Sequence, residues 1–94
     1  MGYAWVITTD HFDSSDRGSE GVIGPRSAKL SKDEIVNHPD RKFFTMKCDD
    51  GHDIFSGYLV GSDTTGFEPL DDFGMPDSGC TEIWYLENGK MVQL

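Results

Sequence analysis

A chain of 94 residues with a formal charge of −9 holds one domain and one core, and that core is too small to enclose a deep pocket. Such acidity opposes direct binding to nucleic acid or anionic membrane by Coulomb repulsion, and it favours a basic partner. No run of about 18 apolar residues occurs, so no membrane span is expected.

The aromatic residues suffice to build that core: Trp5, Trp84, Tyr3, Tyr58, Tyr85 and six Phe. The charge is unevenly spread, with −3 over residues 1–25, +3 over 26–47 and −9 over 48–94. No basic region precedes an apolar one at the N-terminus, so no signal peptide is expected and the expected location is the cytoplasm. Gly2 is followed by Val6 where a myristoylation signal carries Ser or Thr. Under cytoplasmic conditions Cys48 and Cys80 are expected as free thiols, at least partly buried. Both fall at strand ends, so a bridge stays open.

Residues 3–9 read as a first strand, with Tyr3, Trp5 and Ile7 on one face and Ala4, Val6 and Thr8 on the other. Both faces are apolar enough for a central strand. Residues 10–27 form a polar, Gly-rich loop. Its Asp13, Asp16, Gly18 and Glu20 lack the spacing of a calcium-binding loop, and Gly24-Pro25-Arg26 marks a turn. Residues 31–38 predict a helix. Ser31 and Glu34 form a capping box, Leu30 is a hydrophobic staple, Ile35 and Val36 face the sheet, and Pro39 ends the helix.

Residues 41–60 predict the central hairpin, turning at Asp49-Asp50-Gly51-His52. Phe44, Met46 and Cys48 share one face of its first arm. In its second arm Phe55, Gly57 and Leu59 alternate with Ile54, Ser56, Tyr58 and Val60, and Gly57 signals a bulge or a close backbone approach. Residues 61–79 form a long loop. Its Phe67, Leu70, Phe73 and Met75 argue for an ordered flap with these residues packed down and Glu68, Asp71, Asp72 and Asp77 facing out. Residues 81–87 and 90–94 make a second hairpin about Asn88-Gly89, ending at a sheet edge that a homodimer could use. The expected fold is one α+β domain over 1–94: about five antiparallel strands in a curled sheet, tending toward a barrel, with one short helix packed on it.

The chemistry-bearing motifs are sparse. Cys48-x-x-x-His52, with Asp49, Asp50 and Asp53 beside it, lacks the second ligand pair of a typical zinc site, so no metal and no cofactor are expected. No nucleophile motif and no phosphate loop are present, and the acidic setting of Cys80 raises rather than lowers a thiol pKa. No catalytic residue is assigned. The basic cluster of Arg26, Lys29, Lys32, Arg41 and Lys42 is expected to balance the acidic half, internally or between chains.

The stretches Tyr3-Ala4-Trp5-Val6-Ile7, Gly24-Pro25-Arg26, Pro69-Leu70-Asp71-Asp72-Phe73-Gly74 and Gly79-Cys80-Thr81-Glu82-Ile83 resemble a group of short, acidic, uncharacterised bacterial proteins. The resemblance implies a stand-alone protein and no particular activity. In size and charge the chain is also similar to phage anti-CRISPR proteins. The function expected is a non-enzymatic, acidic, protein-binding inhibitor of a basic, nucleic-acid-handling target, of anti-CRISPR type in its sharpest form. Glu68, Asp71, Asp72, Phe73 and Asp77 are the expected partner-binding residues, because charge steers an encounter that aromatic and Met anchors complete. The alternative is a stand-alone bacterial β domain whose acidity serves solubility alone.

Overall fold

The computed structural model describes residues 3–11, 20–25, 28–61 and 65–94. Gly2, Arg26 and the calcium-like positions Asp13, Asp16 and Gly18 lie outside them.

Six strands form one antiparallel sheet: β1 (Ala4–Asp10), β2 (Ile23–Gly24), β3 (Lys42–Lys47), β4 (Asp53–Val60), β5 (Glu82–Glu87) and β6 (Lys90–Gln93). Their spatial order is β2-β1-β4-β3-β5-β6. The first strand is therefore interior, as its two apolar faces predict, and the last lies at an edge. The expected count of about five rises to six because β2, two residues long, pairs Ile23 and Gly24 with Val6 and Trp5 inside what reads as loop. The sheet is open, with β2 and β6 at its edges, and does not close into a barrel.

Alternation along the strands sorts the side chains into two cores. Trp5, Ile7, Phe44, Met46, Phe55, Leu59, Ile83 and Tyr85 cluster on one face, together with Leu70 and Cys80. Ala4, Val6 and Val60 occupy the other face with Ile35. Ile54 departs from the alternation. The β3–β4 register slips between Met46 and Lys47, which leaves Ile54 unpaired and turns it into the same cluster as Phe55.

The second face is covered by α1 (Lys32–Val36). Its capping box is complete: Ser31 Oγ accepts from the Glu34 amide at 3.2 Å, and Glu34 Oε1 accepts from the Ser31 amide at 2.9 Å. These bonds hold the Glu34 carboxyl below its ordinary pKa. Ile35 is buried with Leu30 half-buried beside it, which is the expected staple. The helix ends at Asn37, whose side-chain amide donates to the Asp33 carbonyl at 2.9 Å.

Gly57 pairs with both neighbours of β4, Ile7 in β1 and Phe44 in β3. A Cβ there would overlap the Val6 carbonyl oxygen and press on the Phe44 ring. Close backbone approach accounts for the glycine, and Thr8 bulges from β1 just beside it. The second hairpin turns through Asn88 at φ 53 and Gly89 at φ 80, the pair of left-handed residues that a type I′ turn requires.

Gly57→Ala tests this register. The Val6 carbonyl belongs to the ladder and cannot yield, so a loss of about 3 kcal/mol or more is expected, read as a lower urea midpoint. An unchanged midpoint would contradict the register.

Candidate partner-binding surface

The predicted loop is helical over much of its length. A π-helical turn spans Leu70–Gly74 and runs into α2 (Met75–Ser78). Thr65 and Glu68 tie up the amides at the start of this flap, ahead of a helical turn whose N-cap, Pro69, makes no side-chain cap bond. Glu68 Oε2 accepts from the Thr65 amide at 2.9 Å, Oε1 accepts from the Gly66 amide at 2.9 Å, and Thr65 Oγ1 accepts from the Phe67 amide at 3.3 Å. The Thr65-x-x-Glu68 spacing matches Ser31-x-x-Glu34, but only the Glu68 half of a capping box forms, since the Thr65 hydroxyl takes the Phe67 amide rather than that of Glu68. The Asp71 amide then makes the first helical bond, to the Phe67 carbonyl at 2.9 Å.

The flap packs on the main core through its inner residues. Pro69 and Leu70 are buried. Phe73 lies between two core rings, 5.5 Å from Trp5 and 5.0 Å from Phe55, centroid to centroid. Tyr85 in β5 donates its hydroxyl proton to the Gly66 carbonyl at 2.7 Å, and burial together with the Glu68 charge pushes that hydroxyl's pKa up.

Asp72 supplies the polar anchor. Its Oδ2 accepts a short hydrogen bond from the Tyr3 hydroxyl and another from Trp5 Nε1 at 3.1 Å. The indole of Trp5 is buried, so its N–H needs such an acceptor. The hydrogen bond to Asp72, then burial, then the charges of Asp72, Glu68 and Asp71 push the Tyr3 pKa up to about 12.

These contacts sort the five expected binding residues. Asp71, Asp72 and Asp77 are exposed, as expected, whereas Glu68 is half-buried at the cap. Asp72 is exposed yet committed to Tyr3 and Trp5. Phe73 is half-buried, with its ring packed against the core. Phe67 and Met75 were expected to pack down with it, but they remain 41% and 49% exposed. The outward surface of the flap thus carries Phe67, Asp71, Met75 and Asp77, and no Lys or Arg occurs between residues 48 and 89. No disulfide joins Cys48 and Cys80, and Cys80 is buried where the chain leaves the flap.

The cations lie elsewhere. Arg41 and Lys42 border a shallow groove of about 620 Å³ with Pro39, Phe43, Tyr58 and Leu86. Arg41 stacks over Tyr58, 5.7 Å from the ring centroid. Alternation places Phe43 and Tyr58 on the sheet face opposite the flap. Arg41 therefore lies across the sheet from the flap, whereas Lys42 pairs with Leu59 on the flap's own face and borders Thr65 and Gly66.

The Tyr3–Asp72 bond has a pH signature. The raised pKa stabilises the fold fully below pH ~10, the unfolded tyrosine value, and this contribution is lost as pH rises through about 12. Asp72→Asn should return the Tyr3 titration toward the ordinary tyrosine value and shrink the alkaline loss of stability across that window. Ultraviolet titration and denaturant melts read both; a Tyr3 titration unmoved by the substitution would rule the bond out.

No family model matches this chain, no curated protein matches it, and no solved structure matches it, so the reading of this surface rests on its own chemistry.

Proposed function

We propose that the protein is a non-enzymatic binding protein whose acidic flap seats on a basic protein surface. The observation that carries this reading is the outward composition of the flap: exposed Phe67 and Met75 interleaved with Asp71 and Asp77, in a stretch without a cation. Carboxylates steer the encounter with a positive surface, and desolvated aromatic and Met side chains supply the affinity. Basic surfaces of that kind are common where proteins handle nucleic acid. A bound flap would cover such a surface and exclude the phosphate backbone, so binding alone would inhibit. An anti-CRISPR-type role is the sharpest form of this reading.

A solubility role is the second reading, and one observation favours it. Glu68 and Asp72 each serve the fold, through the cap and through Tyr3 and Trp5. For those two acids no partner is needed as an explanation. Among the described residues, no side-chain hydrogen bond or ion pair engages Asp71, and Phe67 and Met75 stay exposed.

The test is a tagged pull-down from nuclease-treated bacterial lysate at low and high salt, followed by affinity measurement with the captured protein. Asp71→Lys and Phe67→Ala are each expected to weaken binding about tenfold or more while leaving the melting temperature unchanged. Binding that neither substitution weakens, or that is indifferent to salt, would reject the flap as the binding surface.

A further inference from the structure

The turn of the central hairpin collects three metal-ligating side chains. Cys48 Sγ, an Asp50 carboxylate oxygen and a His52 ring nitrogen all lie within 4.8 Å of one another. The backbone explains the convergence. The Gly51 amide donates to the Cys48 carbonyl at 2.9 Å and closes a tight turn, with Gly51 at φ 79. The Cys48 amide donates to the His52 carbonyl at 3.2 Å, which makes the two residues direct cross-strand neighbours. Side chains of such neighbours emerge on the same face of the hairpin, about 4.5–5.5 Å apart at Cβ. Asp50, at the tip, turns back over the pair.

Among the described residues, none of the three side chains has a hydrogen-bond or ion-pair partner. The neighbouring acid Asp53 is by contrast engaged with Lys47 at 3.5 Å. Cys48 is half-buried against the core, while Asp50 and His52 are exposed, so one ligand is held firmly and the site opens to solvent.

We propose that Cys48, Asp50 and His52 form a binding site for a borderline-soft divalent transition metal, with Zn²⁺ as the best fit. Thiolate, carboxylate and imidazole are all zinc ligands. Thiolate and carboxylate together carry two negative charges, which match the ion. Three protein ligands leave a fourth tetrahedral position to water or to a partner's side chain. The site lacks the oxygen-only donor set that Ca²⁺ and Mg²⁺ prefer. Binding requires the Cys48 thiol to lose its proton and His52 to be neutral, so affinity falls as pH is lowered. The two strands flanking the turn pre-position the ligands, so the metal is expected to brace a hairpin that already forms without it. This inference is independent of the flap, which is built from a different part of the chain.

The experiment uses the full chain, kept reduced and freed of metal with a chelator, titrated with Co²⁺ and then Zn²⁺. Co²⁺ should produce a thiolate-to-metal charge-transfer absorption that saturates near one equivalent and is displaced by Zn²⁺. Cys48→Ser should abolish the band. Asp50→Asn and His52→Ala should each lower Zn²⁺ affinity about tenfold or more. Cys80→Ala should retain the band, since Cys80 is buried outside the cluster. A circular dichroism melt of each metal-free variant confirms that it folds. No charge-transfer band in the folded wild-type chain, or a band that survives Cys48→Ser, would overturn the site.

Discussion

The structure depends on how Asp72 holds the flap to the first strand. Trp5 lies inside the sheet and brings a large buried ring and one N–H that must be satisfied. Asp72 accepts from that N–H and from the Tyr3 hydroxyl, two residues earlier on the same face of the strand. Phe73, the next residue, fills the space between Trp5 and Phe55. One polar and one aromatic contact from adjacent residues thus fix the flap laterally. Hydrogen bonds to a charged acceptor contribute about 1.5–3 kcal/mol, and the exposure of Asp72 puts this pair toward the lower end. Without the flap, the face bearing Phe44, Met46 and Ile83 would lose its cover.

Both faces of the sheet need such cover, and the chain provides two pieces that could not stand alone. The five residues of α1 and the short helical turns of the flap are far below the length at which an isolated helix persists. α1 begins with a capping box, the flap begins where Glu68 accepts from the Thr65 and Gly66 amides, and each presses apolar residues onto strands. Ile35 enters the smaller core, and Leu70 with Phe73 enters the larger one. Stability is therefore tertiary, and the sheet and its covers form together. The acidic flap lies on one face, and Arg41 stacks over Tyr58 on the other.

The elements that were legible in the sequence are those whose signals are local. The hairpin turns at Asp50-Gly51 and Asn88-Gly89, the Ser31–Glu34 cap and the two-residue alternation in β1, β3 and β5 all read directly from neighbouring residues. β2 escaped because two residues carry no period. Ile54 escaped because a bulge reverses the alternation on which face assignment rests. The flap helix escaped because Gly and Pro punctuate it and its acids suggested a solvated loop, although Thr65 and Glu68 had the spacing of a cap. The role of Asp72 had no local signal at all, since its partners lie more than sixty positions away. The candidate surface was legible as a stretch of acids and apolar residues, but not as a division of labour. Nothing in the order Phe67, Phe73, Met75 shows that the middle ring turns inward and the outer two do not. The Cys48–Asp50–His52 convergence follows from hairpin register, which sequence spacing alone left incomplete.

The most direct test of this account is amide hydrogen exchange on the wild-type chain and on Asp72→Ala. If Asp72 is the anchor, exchange should accelerate across residues 65–79 and at β1 near Trp5, while the amides of β3 and of the central part of β4 keep most of their protection. Uniform acceleration over the whole sheet, or an unchanged flap, would contradict the claim that this one carboxylate holds the cover in place.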